Sequence, residues 1–138
     1  MPQQKQSKVM ILTHGLYPVP GYTVSGNGIR AWGLAMGLVH NGFEVIYSTP
    51  EDTVHQHTPI PEIILASYRD KNELHRLIKS HKPEVLIIGY WAYMHLIPLD
   101  IKIPIVMDLL APWLLESEFQ ETYDMGSETI DYIKCLNR

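Results

Sequence analysis

At 138 residues the chain has room for one domain and is too short for two of ordinary size. Ten prolines and nine glycines lie near the globular average, and 46% hydrophobic residues are more than a disordered or low-complexity chain carries. A net charge of −4 with scattered acidic residues excludes a broad basic face for nucleic acid, and the single cysteine, Cys135, excludes an internal disulfide or a Cys-rich zinc site.

Val9 to Thr13 is a short apolar run of strand formers. A loop with Pro18, Pro20, Gly21, Gly26 and Gly28 follows, where regular structure is not expected. Helical spacing then covers Ile29 to Asn41, with Gly42 as the left-handed stop. Gly33 and Gly37 share one face of that helix, which predicts close packing of the face on a sheet. Glu44 to Ser48 reads as the second strand, stopped by Pro50, and Ile63 to Ala66 as the third. Leu74, Leu77, Ile78 and His81 follow i, i+3, i+4, i+7, so a second helix spans Lys71 to His81 and ends before Pro83.

Val85 to Ile88 is apolar at every position, as expected of a parallel strand covered on both faces. Ile103 to Met107 is the fifth strand, its Pro104 near the start where a missing donor is tolerated. Two last helical segments lie near Trp113 to Phe119 and from Ser127 to Arg138. The alternation defines an α/β domain with a doubly wound parallel sheet, expected strand order 3-2-1-4-5. The last segment has no stop signal, so the chain reads as cut from something longer. Its apolar positions Ile130, Ile133 and Leu136 are expected to favour self-association of the fragment.

In such sheets ligands bind beyond the carboxyl ends of the strands, where the strand order reverses. That places two loops together. The first holds Gly26, Asn27 and Gly28 at a helix start, with Arg30 adding positive charge. Glycines admit a close approach and the first helical amides lack partners, a combination suited to a phosphate or diphosphate; an ordinary flexible loop with a helix cap is the alternative. Gly26 to Ala31 also spells G-x-G-x-x-A, the dinucleotide pattern, but a long loop separates it from the first strand, and Glu51 and Asp52 follow Pro50 where the ribose partner belongs.

The second loop holds Tyr90, Trp91, Tyr93 and His95 after Gly89. Aromatic faces pack on sugar rings or bases and histidine handles hydroxyl protons; alternatively these rings cover the sheet edge. His14, ending the first strand, is a lesser candidate, and Asp108, ending the fifth, is either a cap or an acceptor for ligand hydroxyls. His55 and His57 alternate in a polar loop with no nearby ligand cluster, so no metal site is expected. No Walker loop, nucleophile elbow or H-E-x-x-H helix occurs.

Taken in order, Lys8 to Leu12, the proline-bearing loop, Gly26-Asn27-Gly28-Ile29-Arg30, and the helix ending in Gly42-Phe43-Glu44-Val45 resemble the start of family 4 glycosyltransferases. Lys82-Pro83-Glu84-Val85-Leu86-Ile87, Pro104 to Pro112, and Leu115-Glu116 fit the same family. The resemblance spans about Lys8 to Arg138. It implies the N-terminal, acceptor-side Rossmann-like domain of a GT-B fold, transferring sugar from a nucleotide-sugar donor to a sugar or lipid-linked acceptor with retention, without metal or resident cofactor. In the family the glycine-rich segment, here Gly26 to Gly28 with Arg30, abuts the donor diphosphate.

The chain departs from that pattern in two places. Leu109-Leu110 stand where many members carry a histidine, with Asp108 just before. The spaced pair of donor-binding glutamates is missing, which implies that the C-terminal donor-binding domain is absent. No catalytic residue is assigned by the pattern. The rival readings are a stand-alone, non-catalytic Rossmann-like binding module and a nicotinamide- or flavin-binding domain.

Met1 to Lys8 is polar and lacks the apolar core of a signal peptide, and residues 1–7 read as a disordered tail before a single domain over 8–138. The longest dense apolar run, Leu109 to Leu115, falls well short of the roughly 20 residues of a membrane span. With the lone cysteine this implies a cytoplasmic protein, peripheral to the membrane if its acceptor is a lipid.

Overall fold

A computed structural model describes residues 6–14, 17–18, 21–50 and 60–109, with Trp91 and Ala92 described by backbone alone. Chain packing separates Met1–Asp108 from Leu109–Arg138 as two units. The expected helices after Asp108, the self-association patch at Ile130, Ile133 and Leu136, and the His55–His57 and Glu51–Asp52 segments lie outside the described residues.

Five parallel strands form one sheet: β1 (Lys8–Leu12), β2 (Glu44–Pro50), β3 (Ile63–Tyr68), β4 (Val85–Ile88) and β5 (Ile105–Met107), in the order β3-β2-β1-β4-β5. Two helices, α1 (Gly26–His40) and α2 (Lys71–His81), and a short 3-10 helix over Trp91–Leu96 complete it. This is a Rossmann-like α/β fold. The chain starts in the middle of the sheet, builds outward to β3, and returns through α2 to β4 on the other side of β1. The strand order therefore reverses between β1 and β4.

β1 and β2 are buried on both faces and β4 largely so, which explains their apolar runs, whereas Ile105, Val106 and Met107 of the edge strand β5 are exposed. Met10, Leu12, Ile46, Leu86 and Ile88 pack against Leu74 and Ile78 of α2. Ile11, Val45, Tyr47 and Ile63 pack against Ala31 and Ala35 of α1. On that second face Tyr17 stacks on Trp32 at 4.9 Å between ring centres and meets Tyr47 edge-on at 6.3 Å. The loop after β1 is thereby anchored to α1 and β2.

Several boundaries differ from the sequence reading. α1 begins at Gly26, not Ile29: Ser25 is the N-cap and its Oγ accepts the Gly28 N–H at 3.1 Å, so the two glycines form the first turn instead of lying in the loop. The first turn needs no preceding carbonyls, and a good cap offsets the low helix propensity of glycine. β2 runs on through Pro50, because beyond Ser48 it pairs with β3 alone, as far as Tyr68, and a proline at a strand end forfeits little. β5 begins at Ile105, while the Pro104 carbonyl still accepts from Leu86 N at 3.0 Å.

The expected packing of Gly33 and Gly37 on the sheet is wrong. Both are exposed, and a Cβ added to either would meet nothing within 4 Å. The small residues that let α1 approach the sheet are Ala31 and Ala35. α2 matches its expected span. Asp70 caps it, Oδ1 accepting from Glu73 N at 2.9 Å, and Lys82 ends it in the left-handed region at φ 51° before Pro83.

Candidate functional site at the carboxyl edge of the sheet

Backbone bonds continue past the ends of three neighbouring strands and align the residues that follow them. Gly89 N donates to Leu12 O at 2.8 Å, and Asp108 N to Ile88 O at 2.9 Å. Thr13 N reaches Ser48 O at 3.0 Å on the other side. His14, Tyr90 and Asp108 thus stand along one edge because β1, β4 and β5 are adjacent, although the sequence separates them widely. Gly89 sits against Thr13, 3.4 Å from Oγ1 to where its Cβ would be.

The N-terminus of α1 meets this edge above its α1-covered face. Gly26 is exposed with open space beside it, Asn27 is half-buried and Gly28 is buried. Ser25 engages the Gly28 amide, which leaves the amides of Gly26 and Asn27 without a helical partner and the positive end of the helix dipole uncovered by any acidic residue in the first turn. Arg30 does not stand free over this turn. Its Nε and Nη2 donate to Oδ2 and Oδ1 of Asp108, each at 2.7 Å, in a two-pronged pair. The carboxylate raises the guanidinium pKa further, through the hydrogen bonds and then through its charge. Asp108 is accordingly the partner of Arg30, and the segment it was expected to cap lies outside the described residues.

The aromatic residues gather on the face that α2 covers. His14 Nδ1 lies 2.6 Å from the Tyr93 hydroxyl, and its ring lies 5.7 Å from that of Tyr90. Tyr90 and Tyr93 meet edge-on at 5.2 Å, and Tyr93 meets the buried Tyr68 of β3 in the same way at 6.5 Å. Tyr93, absent from the residues most strongly expected, is the hub of this cluster. The three-residue spacing of Tyr90 and Tyr93 is its signal, since a 3-10 helix stacks such residues on one side; the segment is this helix and not the expected loop. Trp91 opens that helix and an exposed His95 lies in its last turn.

The expected site residues therefore reach one edge from its two faces: Gly26, Asn27, Gly28, Arg30 and Asp108 from the α1 side, His14 and Tyr90 from the α2 side. Between them, Thr13 Oγ1 and Ser48 Oγ are buried at the strand ends with no hydrogen-bond partner among the described residues. Tyr47, also buried there, has its phenol pKa pushed well up by desolvation. Among the described residues no three His, Cys, Asp or Glu side chains gather to hold a metal ion, and no helix is long and apolar enough to cross a membrane. An open hollow of about 310 Å³ lies elsewhere, at the start of α2, lined by Ser67, Arg69, Glu73, Arg76 and Leu77.

Fold and edge together define a Rossmann-like α/β domain whose strand order reverses between β1 and β4, the place where open α/β sheets in general bind ligands. No protein-family model and no curated protein matches the chain. Among solved structures, the DNA/pantothenate metabolism flavoprotein from Streptococcus pneumoniae is 13% identical, with a TM-score of 0.42, over 74% of this chain and 40% of that one. The chain spans less than half the length of that protein.

Proposed function

We propose that the chain is the acceptor-side domain of a retaining, nucleotide-sugar-dependent glycosyltransferase. The observation that carries this reading is the Ser25-capped N-terminus of α1 at the carboxyl edge of the sheet, where Arg30 meets Asp108, with the amides of Gly26 and Asn27 lacking helical partners. These amides would stabilise charge on the departing diphosphate. The edge holding His14 and Tyr90 would position the acceptor hydroxyl, so that leaving group and nucleophile share one face of the donor sugar. The donor nucleotide itself would be held by a further domain, C-terminal to this one.

Two measurements test this. Inorganic pyrophosphate added to the 138-residue chain is expected to shift the amide resonances of Gly26, Asn27 and Gly28 selectively. The chain alone is expected to transfer no sugar, and the chain joined to its downstream domain to transfer one from a nucleotide-sugar donor. Turnover by the isolated chain, or pyrophosphate shifts elsewhere only, would overturn the reading.

A second reading, a flavin- or nicotinamide-binding domain, has in its favour the G-x-G-x-x-A spelling of Gly26 to Ala31 at the start of α1. Against it stands the long segment between Leu12 and Gly26, since the dinucleotide turn joins strand to helix directly. Saturable binding of FMN or NAD to the chain, with no response to pyrophosphate, would favour it.

A further inference from the structure

His14 is the exposed member of the aromatic cluster, and its Nδ1 side is taken by Tyr93. The contact between Nδ1 and the Tyr93 hydroxyl is 2.6 Å. Bonds donated by N–H to oxygen run roughly 2.7–3.2 Å, whereas hydroxyl donors reach shorter distances. A contact this short suits a phenol donor, with Tyr93 donating and Nδ1 accepting. A neutral imidazole that accepts at Nδ1 must carry its own proton at Nε2.

Tyr93 is a firm post for this. Its backbone amide bonds Tyr90 O at 3.0 Å within the 3-10 helix, and its ring is held edge-on by Tyr68 and by Tyr90 against the α2-side core. Nε2 of His14 has no partner among the described residues, and the half-buried Tyr90 ring lies 5.7 Å from the imidazole, centre to centre, tilted by 33°. A ring face next to a fixed N–H donor suits a ligand with an apolar face and a rim of oxygens. A pyranose has both, its C–H groups for the aromatic face and its hydroxyl and ring oxygens for the donor.

We propose that Tyr93 is a positioning residue that fixes His14 as the Nε2–H tautomer, and that this N–H and the Tyr90 ring together bind a pyranose. His14 then acts as a hydrogen-bond donor to the sugar, not as the base that deprotonates its hydroxyl. The inference rests on the sugar-transfer reading above and gives it an acceptor subsite with named atoms.

Imidazole ¹⁵N spectra of the 138-residue chain test it, with methyl glucopyranoside, methyl mannopyranoside and methyl galactopyranoside as probes. His14 is expected in the Nε2–H form, and at least one glycoside should move its Nε2 resonance together with the Tyr90 ring signals. Tyr93→Phe keeps the ring contacts and is expected to weaken that response about fivefold, the contribution of one neutral hydrogen bond. His14→Gln, whose amide places a donor near the position of Nε2, should retain part of the response, and His14→Phe should lose it. An Nδ1–H tautomer, or silence of His14 toward all three glycosides, overturns the proposal. Glycoside response without any pyrophosphate response at Gly26 to Gly28 would sink the transferase reading and leave this subsite standing; the reverse pattern would sink the subsite alone.

Discussion

Arg30, in the second turn of α1, and Asp108, just past β5, form a two-pronged ion pair with both N···O distances at 2.7 Å. The pair ties the first crossover helix to the far strand across the point where the strand order reverses. Its two ends are unequal, for the Asp108 side chain is 14% exposed and that of Arg30 is 49% exposed. Removing the arginine strands a mostly covered carboxylate, whereas removing both charges strands nothing. Arg30→Met is therefore expected to lower the urea midpoint more than the double change Arg30→Met with Asp108→Asn. Additive losses across that cycle would show that the two side chains do not interact in solution.

The exposed glycine face of α1 is open to improvement. Gly33 and Gly37 lie in the helix interior without positive φ and with free space around a new Cβ. Gly33→Ala and Gly37→Ala should each stabilise the chain by up to about 1 kcal/mol, through helix propensity and a less flexible unfolded chain. Chemical denaturation measures this directly, and destabilisation by either would mean that the face is covered in solution.

Leu74, with no exposed surface, is the point where α2 locks onto Met10 and Leu86. Leu74→Ala should cost about 2–5 kcal/mol, the transfer term plus the cavity left behind. Met36→Ala, on the exposed side of α1, should cost far less. Similar urea midpoints for the two variants would contradict the assignment of faces.

Gly26 and Gly28 separate fold from ligand approach. A side chain at Gly26 enters open space, so Gly26→Val should leave the fold unchanged while blocking anions from the first-turn amides. Gly28 is buried and its N–H is engaged by Ser25, so Gly28→Val should disturb the helix start itself. Circular dichroism and pyrophosphate titration of the pair distinguish the effects. Unchanged pyrophosphate binding in a well-folded Gly26→Val chain would place the anion elsewhere.

Glu73 makes one end of the stability curve pH-dependent. Its carboxylate accepts from the Arg69 backbone N–H at 2.8 Å and from the Arg69 guanidinium, and these hold its pKa below the ordinary 4.5. A group whose pKa is depressed by folding adds stability above the unfolded value and loses it as pH falls through the lower, folded value. The chain should thus lose stability below about pH 4.5, and Glu73→Gln should flatten that acid limb while leaving the slope near neutrality unchanged. An identical acid limb in the variant would remove Glu73 as its source.

The strand alternation, the α2 span and the 3-2-1-4-5 order were legible because each rests on local chemistry or on a general rule of handedness. Val85 to Ile88 is a short apolar run between Pro83 and Gly89, and it forms β4 over those residues. That the first turn of α1 absorbs Gly26 and Gly28 was not legible, since glycine lowers helix propensity and only the Ser25 cap reverses the balance. The facing of Gly33 and Gly37 was misread for a related reason: four-residue spacing groups residues on a face without saying whether sheet or solvent lies beneath it.

The amino-acid sequence by itself determined the five strands, their order in the sheet and the span of α2, because hydrophobic runs and their punctuation are local. Only the tertiary structure decided the side-chain pairings. Arg30 meets Asp108, and His14 meets Tyr93, because the carboxyl edge of the sheet brings α1 and the 3-10 helix to residues that follow strands almost eighty positions away. Side-chain contacts at such distances depend on rotamers and on the exact lie of the loops, which no spacing rule encodes. The same packing turned Arg30 from an apparently free anion-binding charge into half of an ion pair, and made Tyr93 the center of the aromatic cluster.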